Sequence, residues 1–185
     1  MLSDTMRSFG KNACIIREIS AYGAARSAQI GAENVFDFSI GNPNLPAPPA
    51  VRETLVRLLT EMDPVALHAY TPAVGLPAVR QAVAGYITET YDFPVTMDSL
   101  YITEGASTAL AMVFHAVCQE GDEVILFAPY FTEYPVFVRA AGAKSVDVPC
   151  TEPDFQIDFN AFQAALSDKT AAVVVNSPNN PSGVV

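Results

Sequence analysis

Positively charged residues are scarce in this chain. Its 185 residues include 10 lysines and arginines against 20 aspartates and glutamates, which gives a formal charge of −10 at pH 7. After residue 92 only Arg139, Lys144 and Lys169 are basic. This balance disfavours a nucleic acid or an anionic membrane surface as partner. An anionic ligand of the second half must be bound mainly by backbone N–H groups and helix dipoles, or by cations supplied from elsewhere.

Cysteines and metal-binding motifs are scarce as well. The three cysteines, Cys14, Cys118 and Cys150, are widely spaced, and no CxxC, HExxH or Cys/His cluster accompanies them. We therefore expect no metal site, and free thiols in a reducing compartment.

Long hydrophobic runs are missing, although half of the residues are hydrophobic, which excludes general disorder. The longest apolar stretches, 109–118 and 124–131, fall short of the ~18 residues that a membrane span needs. Asp4, Arg7 and Lys11 interrupt the first residues, so we expect no signal peptide. These observations predict a cytoplasmic protein without a membrane partner.

Two kinds of hydrophobic pattern divide the chain. The first kind predicts helices over 14–29, 49–62 and 76–91, a strand over 35–40, and loops over 41–49 and 63–75. The second predicts strands over 100–103, 123–128, 144–148 and 171–176, which alternate with helices over 107–120, 130–141 and 159–167. This alternation indicates an α/β fold with a mostly parallel sheet flanked by helices. We expect an N-terminal arm and loop over 1–48 and a large domain over 49–185, incomplete at its C-terminus.

The stretch 103–110 lies where a predicted strand turns into a predicted helix. Small residues at Gly105 and Ala106 let backbone N–H groups approach a ligand, and Ser107 adds a hydroxyl group. With the positive end of the helix dipole, these groups would bind a phosphate without a lysine. In the ordinary structural interpretation Ser107 or Thr108 simply caps the helix. Neither GxxxxGK nor a Gly-rich dinucleotide motif is present.

The same residues allow a serine hydrolase as an alternative, because a small-x-Ser-x-small turn resembles a nucleophile elbow. That fold needs a histidine after the serine. His115 lies two turns along the same predicted helix and could not reach Ser107, whereas His68 precedes it. This alternative would need a histidine after residue 185.

Two other predicted strand ends carry residues that could bind a ligand. An aromatic ring in 128–131 could stack on a flat cofactor, although such a ring more often belongs to the core. An asparagine in 179–183 could donate to a ligand oxygen, although the stretch also fits an ordinary turn. Tyr70, with Gly75 and Arg80 after it, could present its hydroxyl group from a polar loop. Together these parts would fit a flat, phosphorylated, aromatic cofactor.

In this order the motifs resemble those of the pyridoxal-phosphate-dependent aminotransferases of fold type I, class I/II. Residues 40–43 are similar to the family's GxP loop, and 70–80 to its Tyr…Gly…(Leu/Val)Arg segment. Residues 105–107 resemble its phosphate loop, 129–131 its Pro-x-aromatic segment, and 180–183 its Asn-Pro-x-Gly motif.

The resemblance implies pyridoxal 5'-phosphate as cofactor, an α-amino acid and a 2-oxo acid as substrates, and a homodimer. Phe131 would stack on the pyridine ring, Asn180 would bond the phenolic oxygen, and Tyr70 would reach the phosphate of the neighbouring subunit. The implied cofactor contacts are Gly105, Ala106, Ser107, Phe131, Asn180 and Tyr70, and the implied substrate contacts are Gly41 and Asn180. The resemblance also implies cis peptide bonds at Ala128–Pro129 and Asn180–Pro181.

The family's Schiff-base lysine lies beyond its Asn-Pro-x-Gly motif, as do the aspartate and the arginine that complete its site. No catalytic residue is therefore assigned, and Lys11, Lys144 and Lys169 do not match the context of the family lysine. We expect this chain to be the N-terminal part of an aminotransferase, inactive alone and truncated before the catalytic lysine. The alternatives are a β-lyase or decarboxylase of the same fold, and a non-catalytic cofactor-binding or regulatory module.

Overall fold

The computed structural model describes residues 2–11, 15–41 and 45–185. The chain forms two compact units, Met1–Thr71 and Pro72–Val185. The expected division after residue 48 concerns the domains of a larger protein and stays a prediction. Cys14 and residues 42–44, which belong to the expected GxP loop, lie outside the described residues. In the part of the chain that is described, no helix has the length and apolar character needed to cross a membrane.

The first unit is built from helices. They are α1 (Asp4–Lys11), α2 (Ile15–Ile30), α3 (Pro49–Glu61) and α4 (Pro64–Leu67). Helices α2 and α3 confirm the predicted helices within one residue at each end. Pro49 stands in the first turn of α3, where its fixed φ suits the helix and its missing N–H group costs nothing. Helix α4 lies in the predicted loop 63–75, and its N-cap Asp63 accepts a 2.8 Å hydrogen bond from the Ala66 N–H group.

The strand predicted over 35–40 is wrong. These residues are irregular, and the Phe36 and Phe38 side chains are more than 80 % exposed. Instead of a ladder partner, the Ser39 N–H group donates to the Asp37 carboxylate at 2.9 Å, a local turn that competes with extended pairing. This hydrogen bonding also lowers the pKa of Asp37.

The second unit is a parallel three-stranded sheet with helices on both faces, which confirms the predicted fold class. Its elements are α5 (Pro77–Tyr91), α6 (Ala106–Val117), β1 (Glu123–Ala128), α7 (Tyr134–Ala140), β2 (Lys144–Pro149), α8 (Phe159–Ala165) and β3 (Thr170–Val174). The strand order is β2-β1-β3, and both pairings are parallel. In the register, Ile125 of β1 lies between Val146 and Val173.

Strand β1 is the centre of the core. Val124 and Leu126 are fully buried and pack with Phe114 of α6 and Val138 of α7. Alternate side chains of a strand face opposite sides of the sheet. Phe127 accordingly packs on the other face, where its ring meets Phe162 of α8 with centroids 5.5 Å apart.

A second predicted strand and the start of one helix need correction. Residues 100–103 were expected to form a strand, but they are irregular, and the Ile102 N–H group makes a single bond to the Val74 carbonyl at 3.1 Å. Helix α7 begins at Tyr134 instead of residue 130, because residues 129–133 turn away from β1 before Pro135 takes its place in the first helical turn.

Candidate functional site

The beginning of helix α6 offers unpaired donors. Its N-cap is Gly105, which has φ +116° and no side chain to cap the helix. Among the described residues, the N–H groups of residues 106–108 have no acceptor and the Ser107 hydroxyl group has no partner. The ordinary interpretation, in which Ser107 or Thr108 caps the helix, is therefore wrong. Ser107 is exposed, and a Cβ atom built on Gly105 would meet nothing within 4 Å.

The packing of α6 places these donors at the carboxyl end of the sheet. Helix α6 and strand β1 are joined by the short turn 118–122 and packed through Leu110 and Phe114, so they run antiparallel. The 12 residues of α6 span ~18 Å and the six of β1 span ~20 Å. Gly105 therefore lies near the level of Pro129. In parallel sheets this end is where ligands bind.

The segment after β1 holds two aromatic rings in place. The Ala128–Pro129 and Asn180–Pro181 peptide bonds are both cis, as the resemblance implied. The Tyr130 hydroxyl group donates to the Asp147 carboxylate at 2.8 Å, and burial together with this carboxylate raises the pKa of Tyr130 to about 12. Phe131 is half-buried and meets the Tyr134 ring edge-to-face at 5.5 Å. Its ring is therefore supported by the core on one side.

The adjacent residues Asn179 and Asn180, which follow β3, differ in what they do. The Asn179 amide donates to the Pro129 carbonyl at 3.0 Å and to the Ser182 hydroxyl group at 2.8 Å. It thereby ties the loop after β3 to the loop after β1. Asn180 is exposed, and within the described chain its amide has no partner, although its backbone N–H group donates to the Asn176 side chain. Asn180 is thus the asparagine that is free to bind a ligand.

A pocket of about 190 Å³ opens at the same end of the sheet. Its walls come from the loops after all three strands and include Tyr130, Cys150, Gln156, Asn176 and Asn179. Burial raises the pKa of the Cys150 thiol. None of the predicted cofactor contacts lines this pocket.

The other predicted contacts belong to the first unit. Tyr70 is fully exposed, and Gly41 is exposed with open space around its Cα. The contacts within the first unit do not show whether Tyr70 or Gly41 binds a ligand, and their roles stay predictions. Cys118 and Cys150 are free thiols. In the described residues, no group of three or more His, Cys, Asp or Glu side chains could hold a metal ion.

The geometry gives no support to a serine hydrolase at Ser107. His115 lies on α6 itself, two turns further along, and its Nδ1 atom is 2.8 Å from the Ala111 carbonyl oxygen. Lys144 and Lys169 do not reach the candidate site either. Lys144 begins β2 and Lys169 directly precedes β3, so both stand at the amino end of the sheet, opposite the donors of α6.

Sequence reasoning missed the residues that hold the site together. Asn179 looked equivalent to Asn180, and the bond between Tyr130 and Asp147 joins residues that are 17 positions apart. The doubled asparagine was the only signal, because a hydrogen-bond partner in another loop leaves no trace in local sequence.

Comparison with known proteins decides the family. The family model for aminotransferases of class I and II matches residues 33–185. The chain belongs to this family. An amino transferase structure from Eubacterium rectale is 46 % identical, with a TM-score of 0.95 over all of this chain and 47 % of that one. An aspartate aminotransferase mutant from Thermus thermophilus is 31 % identical, with a TM-score of 0.88 over the same shares, and shows that the fold is that of fold type I.

Curated relatives of this aminotransferase chain agree with the structures. The aspartate aminotransferase of Thermotoga maritima is 36 % identical over 154 residues, which are 83 % of this chain and 40 % of that protein. The aspartate/prephenate aminotransferase of Thermus thermophilus is 36 % identical over 146 residues, 78 % of this chain and 37 % of that protein. The chain thus spans about 40 % of the length of the curated relatives it matches.

Proposed function

We propose that the whole protein is a pyridoxal-phosphate-dependent aminotransferase that moves an amino group between an α-amino acid and a 2-oxo acid. The observation that carries this proposal is that the open start of α6 and the free Asn180 amide both lie at the carboxyl end of a parallel sheet. The relatives are named as aspartate or aspartate/prephenate aminotransferases. Their names favour transamination over lyase or decarboxylase chemistry, and aspartate as the first amino donor to try.

The residues present fit the cofactor. Its phosphate needs donors, and the α6 start supplies backbone N–H groups and the Ser107 hydroxyl group without a nearby cation. The open space beside Gly105 and its positive φ leave the backbone accessible to a phosphate. The half-buried Phe131 ring would pack on the aromatic face, and the Asn180 amide would donate to the phenolic oxygen.

When bound, pyridoxal phosphate supplies a protonated aromatic ring that withdraws electrons from the Cα atom of the amino acid. This chain's part is to hold and orient the group: donors at α6 fix its phosphate, and Phe131 and Asn180 fix the plane of its ring. Correct placement of this kind accounts for a large share of catalysis. The residue that moves the proton at Cα is assigned to none of the described lysines, so we propose that the 185-residue chain alone is inactive.

A homodimer in the cytoplasm completes the proposal. In the first unit Phe36, Phe38, Leu59 and Tyr70 are each more than 60 % exposed, and apolar surface of this kind is typical of a subunit interface. Tyr70 would then reach the cofactor of the neighbouring subunit, and Gly41 would lie near the substrate carboxylate. Sedimentation equilibrium of the whole protein measures the dimer, and a monomer that retains full activity would contradict it.

The phosphate contact is tested by binding. Ser107→Ala should weaken pyridoxal phosphate binding roughly tenfold, because a hydrogen bond to a charged group contributes about 1.5 kcal/mol at the low end of its range, as expected in an exposed site. Fluorescence titration measures it, and Ser145→Ala is the matched control, since Ser145 is an exposed serine of β2 in the same unit. Equal affinities of the Ser107 variant and the control would remove Ser107 from the site.

The reaction type is tested on the protein as its gene encodes it. We expect amino transfer from aspartate to a 2-oxo acid. Faster release of pyruvate and ammonia from a cysteine-type substrate would identify a lyase instead. Borohydride reduction of the 185-residue chain with the cofactor should label none of Lys11, Lys144 and Lys169. A stoichiometric label on one of them would overturn the proposed inactivity of this chain.

A further inference from the structure

Arg80 is a buried charged residue in the first turn of α5, with 9 % of its surface exposed. Its Nε atom donates to the carbonyl oxygens of Met97 and Leu100 at 3.0 and 3.1 Å, and a terminal nitrogen donates to Met97 at 2.6 Å. The nearest carboxylate oxygen, on the exposed Asp98 side chain, is 3.7 Å away. The guanidinium group is therefore held chiefly by backbone carbonyls.

This arrangement is costly if its only purpose is to fill space. Burying a charge costs free energy, and apolar side chains of similar volume often replace a whole buried ion pair without loss of stability. The planar guanidinium group instead gives fixed directions to several hydrogen bonds at once. The arginine thus fixes the path of residues 97–100 more tightly than packing would.

A second attachment acts on the next residues. The Ile102 N–H group donates to the Val74 carbonyl at 3.1 Å. Gly75 follows Val74 with φ +95°, and a Cβ atom there would come 2.6 Å from Ile102 Cγ1. The absence of a side chain at Gly75 lets the backbone of Ile102 come this close. The chain from residue 97 to 102 is therefore fastened to the segment 74–80 at both ends.

The fastened segment leads directly into the proposed phosphate site. Only Thr103 and Glu104 separate Ile102 from Gly105, and the Thr103 hydroxyl group donates to the Gly105 carbonyl at 3.0 Å. Because no side chain caps α6, the direction of its first N–H groups depends on the chain that enters it. We propose that Arg80 is a positioning residue for phosphate binding, which acts through residues 97–105. This inference rests on the function proposed above.

The experiment compares two ligands that differ only in the phosphate group. Dissociation constants for pyridoxal 5'-phosphate and for pyridoxal are measured on the whole protein. The constant for pyridoxal divided by the constant for pyridoxal 5'-phosphate is a ratio that reports the phosphate contact alone. Arg80→Met should lower the ratio at least tenfold, and Arg80→Lys, which keeps the charge without the planar fork, should recover part of it. Lys144→Met is the control, since it removes an exposed cation at the amino end of the sheet and should leave the ratio unchanged.

Gly75→Ala supplies an independent variant, because its Cβ atom pushes on Ile102 while Arg80 stays intact. It should lower the same ratio about fivefold or more. If Arg80→Met does not fold, Arg80→Lys and Gly75→Ala decide the question. A wild-type protein that binds both ligands equally would refute the phosphate site itself. A selective wild type whose Arg80 and Gly75 variants keep the full ratio would refute only the role of Arg80.

Discussion

The two adjacent asparagines after β3, Asn179 and Asn180, should respond differently to substitution by alanine: the first in stability and the second in cofactor affinity. Asn179 is half-buried and bonds the Pro129 carbonyl and the Ser182 hydroxyl group, whereas the exposed Asn180 amide has no partner among the described residues. We expect Asn179→Ala to lower the free energy of unfolding and Asn180→Ala to leave it unchanged. We also expect Asn180→Ala to lower the cofactor affinity directly, because the Asn180 amide is the proposed ligand contact.

The magnitudes follow from the bonds that are lost. Asn179→Ala removes two hydrogen bonds of about 1 kcal/mol each and leaves the Pro129 carbonyl without its donor in a half-buried place. We therefore expect a loss of about 2 kcal/mol in the free energy of unfolding. Asn180→Ala removes no bond within the described chain, so its effect on unfolding should stay within about 0.5 kcal/mol. Its cofactor affinity should fall roughly tenfold, since one hydrogen bond to the ligand is lost.

Urea unfolding and fluorescence titration of pyridoxal phosphate measure the two quantities on the same preparations. The cofactor affinity of Asn179→Ala does not separate the roles of the two asparagines, because loosening the loop after β3 also displaces Asn180. The decisive variant is therefore Asn180→Ala, with Asn160→Ala as the matched control on helix α8. Unfolding free energy that falls by 2 kcal/mol in Asn180→Ala, with unchanged cofactor affinity, would refute the assignment of roles to the pair.

Two further predictions concern groups whose pKa is raised. The difference in tyrosinate absorbance between wild type and Tyr130→Phe should titrate near pH 12 and not near pH 10. Because the pKa of Tyr130 is higher in the folded than in the unfolded protein, its contribution to the free energy of unfolding is complete below pH 10 and is lost as the pH rises to 12. Asp147→Asn should lower this pKa only in part, since burial is the larger cause, and a midpoint at 10 in the wild type would contradict the burial of Tyr130. Burial raises the pKa of the Cys118 and Cys150 thiols, and the Asp122 carboxylate raises that of Cys118 further. Peptide mapping after iodoacetamide treatment at pH 8 should show both reacting more slowly than in the urea-unfolded chain, with Asp122→Asn accelerating Cys118 alone.

The hydrophobic pattern of a segment predicts its secondary structure only where that structure depends on the segment itself. Strand β1 was predicted at its true bounds because a continuous apolar run between turns is typical of a central strand. The stretch 35–40, which alternates apolar and polar residues, and the stretch 100–103 were also predicted as strands, and they form none. Whether an extended stretch becomes a strand depends on a partner elsewhere in the chain, and this partner is not encoded in its own alternation of residues.

The candidate site shows the same division. The motif order led to Ser107, Phe131 and Asn180, and the structure brings the loops that carry Phe131 and Asn180 into hydrogen-bond contact. The supporting residues were not predictable, because a buried Arg80 contradicts the usual exposure of arginine and its acceptors are backbone carbonyls. Tyr70 and Gly41 stay predictions, since an exposed residue of the first unit reveals no ligand by its own contacts.

The parallel sheet explains how an acidic chain could bind an anion. Parallel strands place all their carboxyl ends at one edge, so loops distant in sequence meet there, and the Asn179–Pro129 bond joins two of them. The antiparallel α6 brings its N-terminus to the same edge, with N–H groups that the helix itself cannot satisfy. Neutral donors of this kind attract a phosphate without adding a basic side chain. The scarcity of lysine and arginine after residue 92 is therefore compatible with the proposed phosphate site, because the architecture and not the charge supplies the donors.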